Sequence, residues 1–168
     1  MSKEWLDDAP KYFERYIELV NEDDMLDAME NSWNELIEWV ETIDEDKDHY
    51  AYEEGKWTVN QVLMHIMDTE RIFQYRSLCI ARGELNDLPG FDHDAYTENS
   101  NAEGRTMDSI LREFDIVRQS SISLYGSFRD ENLKQKGSAN GLTVQPLLYG
   151  FLVCGHLRHH LNVLKERY

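Results

Sequence analysis

The chain has 168 residues, a length that fits one domain with a hydrophobic core that needs no disulfide bonds. It carries 17 basic and 33 acidic residues, a formal net charge of −16 at pH 7, which argues against binding to nucleic acids or to acidic membrane surfaces. With 9 glycines and 3 prolines, turn signals are sparse, which favours a few long helices over many short strands.

The first ten residues, MSKEWLDDAP, lack the apolar segment of a signal peptide, and no apolar stretch reaches the ~20 residues of a membrane-spanning helix. We therefore expect a cytoplasmic protein that does not enter a membrane, with residues 1–168 forming a single domain. Cys79 and Cys154 lie far apart in apolar stretches, so two buried free thiols are favoured over a disulfide.

The first predicted element is a short helix in APKYFERYIELV, where Pro10 suits a first turn and apolar residues recur at helical spacing. A second amphipathic pattern runs from Met25 to Val40, with Asn21 or Asp23 as the expected N-cap.

The third helix has the clearest boundaries. Thr58 and Gln61 have the spacing of a capping box, and Trp57 can pack on Val62 as a hydrophobic staple. Apolar residues then follow helical spacing until Gly83, a typical C-terminal signal.

Residues 84–105 are predicted to form a long loop, a feature that is uncommon in compact domains and often functional. Thr106 is the expected N-cap of a fourth helix that continues to about Phe128.

A polar connection, KQKGSANG, then ends at Asn140-Gly141. This dipeptide can form a hairpin turn, but the flanking residues do not alternate as strands do. The last helix is predicted from near Thr143 to about Lys165, with Pro146 in its first turn.

These patterns predict an all-α protein: a four-helix bundle with long crossover loops and a short extra N-terminal helix. Four amphipathic helices bury their apolar faces most simply against one another.

Three of the six histidines fall in the segment GHLRHH of the last helix. His156 and His160 are four residues apart, share a helix face and border its apolar side. His159 points about 100° away from His160, so we expect it behind the pair or at the surface. His65 interrupts the apolar run VLMHIM of another helix and is the natural third ligand for a divalent metal.

A lone histidine on an apolar helix face is more often a hydrogen-bonded core residue, and two histidines at this spacing are common. The three together, on helices that a bundle packs against each other, favour a metal site. Three imidazoles leave a coordination position open, as in catalytic sites. Such a position can activate water or hold a thiol substrate as thiolate.

The segments GKWTVNQVLMHIMDTERIFQYR, ARGELNDLPGFD, KGSANG and GHLRHHLNVLKERY resemble the DinB-like superfamily of metal-binding four-helix bundles, over nearly the whole chain. The resemblance implies a metal triad of His65, His156 and His160, the set that helical spacing also favours. It implies a divalent ion of zinc, nickel or iron type and frequently a homodimer. Members act as metal-dependent hydrolases or isomerases or use low-molecular-weight thiols, so we expect a small-molecule substrate.

Asp68 lies three residues after His65 on the same helix face, where it can act as a base or orient an imidazole. The alternative is a solvated acid that pairs with Arg71 or Arg76. Arg76 and Arg82 can bind a substrate carboxylate, although surface salt bridges are their expected use.

His49 and His93 have acidic loop neighbours and are expected to be exposed, although His93 can close over a site. Trp57, Tyr75 and Tyr149 are expected in the core or an interface.

Three hypotheses follow from the sequence. The first is a metal-dependent hydrolase or thiol transferase acting on a small molecule. The second is a non-catalytic bundle that binds a metal or a partner. The third is a metal-free bundle whose histidines are core polar residues.

Overall fold

A computed structural model describes residues 9–168; the N-terminal segment on which the expectation about a signal peptide rests lies largely outside them. Within this range no helix is both long and apolar enough to cross a membrane. The helices are α1 (Glu14–Ile17), α2 (Met25–Val40), α3 (Val59–Ala81), α4 (His93–Glu98), α5 (Met107–Gly126), α6 (Asp130–Leu133) and α7 (Pro146–Arg167), with 3-10 turns at Lys11–Phe13, Glu45–Lys47 and Ala102–Gly104.

The four long helices α2, α3, α5 and α7 form the predicted four-helix bundle. Helices α2 and α3 each pack against both α5 and α7, so consecutive helices α2 and α3 lie diagonally opposite each other. The α2–α3 and α5–α7 connections therefore cross the ends of the bundle, whereas α3 and α5 are neighbours. Helix α1 lies within the predicted short N-terminal helix and packs on the outside of α7.

The apolar core has two parts, one toward each end of the bundle, with a polar layer between them. Along α2 this layer contains Ser32, along α3 Glu70 and along α5 Arg118, each flanked by residues of the two apolar clusters. His156 lies at the equivalent level of α7, between Cys154 of one cluster and Leu157 of the other.

Most predicted helix boundaries are confirmed. The Thr58 hydroxyl accepts from the Gln61 amide at 3.2 Å, and the Gln61 side chain accepts from the Thr58 amide at 2.8 Å, which completes the capping box. Thr106 caps α5, and Gly83 follows α3 with a φ of 89°. Both predicted caps of α2, Asn21 and Asp23, are wrong: Asp24 accepts from the amides of Leu26 and Asp27.

Two predictions between the long helices are wrong. The segment around Asn140-Gly141 is a hairpin of strands β1 (Gly137–Ala139) and β2 (Leu142–Val144). Both turn residues have positive φ, 53° and 72°, as a tight hairpin turn requires, so three-residue strands suffice without a longer alternating pattern. Helix α7 therefore begins at Pro146 rather than near Thr143.

Residues 84–105 are also more ordered than a loop. They contain α4, capped by the Asp92 carboxylate, and the 3-10 turn that precedes α5. Leu88 exchanges backbone hydrogen bonds with the hairpin, donating to Ser138 at 2.9 Å and accepting from Asn140 at 2.8 Å. The segment and the hairpin thus form one structure beside α3.

Both cysteines are free, as predicted; Cys154 is buried and Cys79 is half-buried. Burial raises the pKa of the Cys154 thiol to about 12, so it is neutral at physiological pH.

Candidate metal centre

Helices α3 and α7 bring the three predicted histidines together. His65 and His156 are 8% and 7% exposed, and His160, one turn after His156, is half-buried. Because α3 packs directly on α7, the side chain from the middle of α3 meets the pair from α7.

The Nε2 atoms of the three imidazoles lie close together. The Nε2 atom of His156 is 3.1 Å from the Nε2 atom of His65 and 3.1 Å from that of His160. One ligand atom from each residue lies within 4.8 Å of the others, so the three can hold one metal ion. A set of imidazoles suits zinc, nickel and iron better than magnesium or calcium, which prefer oxygen ligands.

Burial keeps these imidazoles neutral. It lowers the pKa of His65 to about 4, with the nearby charges of His93 and His159 adding to the effect. It lowers the pKa of His160 to about 2 and that of His156 well below its ordinary value, each imidazole opposing the charge of its neighbours. All three therefore keep a free lone pair at neutral pH, the form that binds metal.

The triad opens into a cavity of about 520 Å³, a volume typical of small-molecule sites. Residues from α1, α3, α7, the hairpin and the segment before α4 line it. Its walls are mainly aromatic: Tyr12, Phe13, Tyr16, Trp57, Phe73, Phe91 and Tyr149.

Helix α1 closes one side of this cavity because Gly155 lets it approach α7. A Cβ atom at position 155 would overlap the backbone carbonyl of Tyr16. The Tyr16 ring then lies 5.6 Å from the ring of His156 and 5.2 Å from that of His159. The glycine of GHLRHH is thus part of the site's construction.

The other histidines occupy different positions. His159 is half-buried and, like the triad, lines the cavity, with its ring against Tyr16, and burial lowers its pKa. His49 and His93 are exposed, as predicted. His93 also lines the cavity, with its ring 5.8 Å from the ring of His65 and 6.2 Å from that of Trp57.

Asp68 is not among the residues that line the cavity. It lies 3.4 Å from Arg71, which also contacts Glu113 of α5 at 2.5 Å. Burial raises the pKa of Asp68, and the charge of Arg71 opposes that change. The structure therefore places Asp68 in the alternative arrangement, an acid paired with Arg71.

Two further residues of α3 line the cavity: Thr69, which sequence reasoning missed, and Arg76, for which it offered a substrate carboxylate and a surface salt bridge as alternatives. Thr69 is buried and its hydroxyl has no hydrogen-bond partner within the described chain. Arg76, expected in a surface salt bridge, is instead 7% exposed and lines the cavity. Helical spacing offered a signal, since positions 4 and 11 residues after His65 fall on nearly the same face.

Of the aromatic residues considered in the sequence, two line the cavity and one does not. Tyr149 is buried and Trp57 is half-buried, and both line the cavity. Tyr75 is 55% exposed and therefore lies outside the core, so of its two expected positions only an interface stays a prediction. Arg82 is exposed and lies outside the cavity.

The sequence matches the DinB superfamily over residues 28–164. The fold is similar to that of YfiT from Bacillus subtilis, described as a probable metal-dependent hydrolase with an unusual four-helix bundle topology, with a TM-score of 0.73 and 19% sequence identity. The similarity covers 86% of this chain and 83% of the YfiT chain. No curated protein matches the sequence.

Proposed function

We propose that this chain, which belongs to the DinB superfamily, is a metal-dependent hydrolase that acts on a small molecule in the cavity beside His65, His156 and His160. The observation that carries the proposal is the convergence of three neutral imidazole nitrogens, from the buried His65 and His156 and the half-buried His160, at the wall of a ligand-sized cavity. The description of YfiT as a probable metal-dependent hydrolase supports the choice of reaction. The proposal treats residues 1–168 as one DinB-like domain.

The residues present fit a divalent ion. Three nitrogen ligands leave room for water or substrate, and the low pKa values of the imidazoles keep protons from competing for them. When bound, such an ion supplies Lewis acidity and lowers the pKa of a ligated water toward neutrality. Zinc, nickel and iron all suit this ligand set, and the choice among them stays a prediction, as do a homodimer and a cytoplasmic location.

The remaining side chains prepare the cavity for a small organic molecule. The aromatic walls make the inner part of the cavity apolar, which favours an organic molecule over water there. Arg15 donates to the Tyr16 hydroxyl at 2.6 Å, which fixes the ring that covers His156. We assign proton exchange with solvent to His93, which is exposed at the edge of the cavity, and not to Asp68, which lies outside it.

The first test is metal content. We expect untagged wild-type protein, reconstituted with zinc, nickel or iron, to hold about one equivalent by elemental mass spectrometry. The His156→Ala/His160→Ala variant should hold none, because one ligand is left. His49→Ala is the matched control, since it removes an exposed histidine outside the cavity. Wild-type protein that binds no metal after reconstitution would refute the proposal.

The second test is turnover. Metal-loaded protein is assayed with esters, amides and thioesters, and with a low-molecular-weight thiol plus an electrophile. We expect hydrolysis that is absent from the double variant and reduced in His93→Gln. Thiol consumption without hydrolysis would replace the hydrolase by a thiol transferase. Stoichiometric metal without turnover of any class would favour the non-catalytic binding module.

A further inference from the structure

We infer that the cavity binds a small molecule with a carboxylate at one end and an apolar body, and that Arg76 is the carboxylate receptor. This inference deepens the proposed function and rests on it for the reacting end of the molecule, which would lie at the histidine triad. The carboxylate site itself stands on separate observations.

The three buried arginines of the described chain differ in their partners. Arg118 forms two hydrogen bonds to Glu70, at 3.0 and 2.8 Å, and Arg158 contacts both Glu22 and Glu35, at 2.6 and 2.7 Å. Arg76 is as buried as Arg158, yet no carboxylate of the described residues lies within 4.0 Å of it. A buried charge is normally paired with an opposite charge, so Arg76 lacks an anion.

The groups around Arg76 are neutral or already occupied. Its Nη2 donates to the Pro89 carbonyl at 2.7 Å, and its side chain also interacts with Tyr149, whose pKa burial raises above the ordinary value of a phenol. Asp87 is close enough for Arg76 to influence its pKa, but that exposed carboxylate accepts from Ser138 at 2.5 Å and from the Gly141 amide at 3.1 Å. These contacts hold the guanidinium in place without neutralising it.

The cavity as a whole selects for an anion. The chain has 33 acidic residues, yet none of the described residues that line this cavity is Asp or Glu. Two of the lining residues are arginines: Arg76 in the interior and Arg15 at the exposed edge. In a protein with a net charge of −16, this makes the cavity the place where an anion avoids repulsion.

The space between Arg76 and the triad is apolar. Phe73 lies between them on α3, with its ring 5.0 Å from that of Tyr149 and 6.2 Å from that of His156. The 11 residues from His65 to Arg76 span about 16 Å along the helix axis, so a molecule that reaches both must be elongated. The unpaired Thr69 hydroxyl, between these two positions on α3, offers one hydrogen bond along the way.

The test uses a matched pair of probes, 3-phenylpropanoate and its neutral amide, 3-phenylpropanamide. Their dissociation constants are measured by isothermal titration calorimetry with chelator-treated protein, so that a metal ion cannot hold the carboxylate. We expect wild-type protein to bind the carboxylate about tenfold more tightly than the amide. Arg76→Gln should abolish this preference, and Arg76→Lys should retain part of it because the charge remains.

Arg82→Gln is the control, since it removes an exposed guanidinium from the same end of α3 outside the cavity. It should leave the preference unchanged, and circular dichroism checks that each variant is folded. Equal binding of the two probes by wild type, or a preference that survives in folded Arg76→Gln, would overturn the inference.

The outcome is separable from that of the proposed function. A carboxylate preference in protein that binds no metal supports the Arg76 site and refutes the metal-dependent hydrolase. Metal binding without a carboxylate preference supports the metal site and refutes the Arg76 site.

Discussion

Two buried polar clusters share helix α3, one inside the bundle between its two apolar halves and one along the cavity, and they are built differently. Inside the bundle, Arg118 is fully buried and contacts Glu70, Ser32 and the carbonyl of Met29, and Ser121 completes the set by donating to Glu70 at 2.5 Å. At the cavity, three histidines face one another, while among residues 9–168 Thr69 has no hydrogen-bond partner and Arg76 has no carboxylate partner. In the Arg118 cluster the buried charges are paired, so we call it complete; the cavity cluster contains polar groups without partners among the described residues, so we call it open.

This difference between the two clusters predicts that one contributes mainly to the stability of the fold and the other mainly to ligand binding. A complete buried network contributes to one unique packing of the helices, and breaking it leaves an uncompensated charge. An open cluster stabilises the fold little by itself, since its polar groups meet their partners only when something binds. Variants in the two clusters should therefore have opposite effects on stability and on binding.

The largest effect on stability is expected from Glu70→Gln. It leaves the Arg118 guanidinium without a charged partner at a site from which solvent is excluded. We expect the free energy of unfolding to fall by about 4 kcal/mol, measured by urea denaturation. Metal content per folded molecule should stay at the wild-type value, because the triad does not contact Glu70.

The corresponding cavity variant gives the other half of the comparison. His156→Ala/His160→Ala should lose metal binding but, in chelator-treated protein, lose far less stability than Glu70→Gln. If the double variant is as unstable as Glu70→Gln without metal, the histidines are structural core residues and the distinction between the clusters fails.

A second effect is expected from acid on the metal-free protein, in which His65 alone accounts for about 3 kcal/mol. The pKa of His65 is about 4 when folded and about 6.5 when unfolded, so between these values the unfolded chain binds the extra proton. Stability is therefore fully present above pH 6.5 and is lost as pH falls toward 4. Urea denaturation between pH 7 and 4 should show this loss in chelator-treated wild type and a smaller one in His65→Leu.

His49→Leu, at an exposed position, serves as its control and should follow the wild-type curve. The same pH dependence in wild type and His65→Leu would show that the triad imidazole does not resist protonation. Added metal should raise the stability of wild type and His49→Leu across this range but leave their pH dependence in place, because the ion keeps the folded imidazoles neutral while the unfolded chain still binds protons; His65→Leu, which lacks one ligand, should gain less.

The fold was largely predictable because its determinants are local. Thr58 and Gln61 mark the start of α3, Thr106 that of α5 and Gly83 the end of α3, and the apolar spacing between such signals fixes which faces pack. The hairpin was missed because two residues of positive φ determine it, and its three-residue strands are too short to show alternation.

The site was predictable only in part. His65, His156 and His160 were recognisable since histidine is rare on apolar helix faces, and the structure brings them together; that they bind metal stays a prediction. The setting of Arg76 was not recognisable, because it depends on long-range packing of the Pro89 segment and Tyr149 against α3. Sequence spacing gives the face on which a residue lies, but not the elements that cover that face.

Gly155→Ala should cost about 2 kcal/mol, because its Cβ atom would overlap the Tyr16 backbone and force α1 away from α7. Gly150→Ala is the matched control on the same helix. There the new Cβ meets the Sδ and Cγ atoms of Met25 and lies 3.3 Å from the Tyr125 ring; because these are side chains and the Met25 chain can rotate, the loss should be smaller. Thermal denaturation compares the two, and the metal dissociation constant should rise for Gly155→Ala alone because Tyr16 covers His156.

The smallest expected changes in stability come from removing a single hydroxyl group from each of the two polar clusters. Thr69→Val removes a buried hydroxyl that has no partner and keeps the shape of the side chain, so we expect no loss of stability and a gain of up to about 1 kcal/mol. Ser121→Ala removes a hydroxyl that donates to Glu70 and accepts from Gln74 at 2.6 Å, leaving both groups short of a partner. It should cost about 1–2 kcal/mol in urea denaturation. An equal loss for both variants would mean that the Thr69 hydroxyl already has a partner in the ligand-free protein, and the cavity would then be as complete as the core.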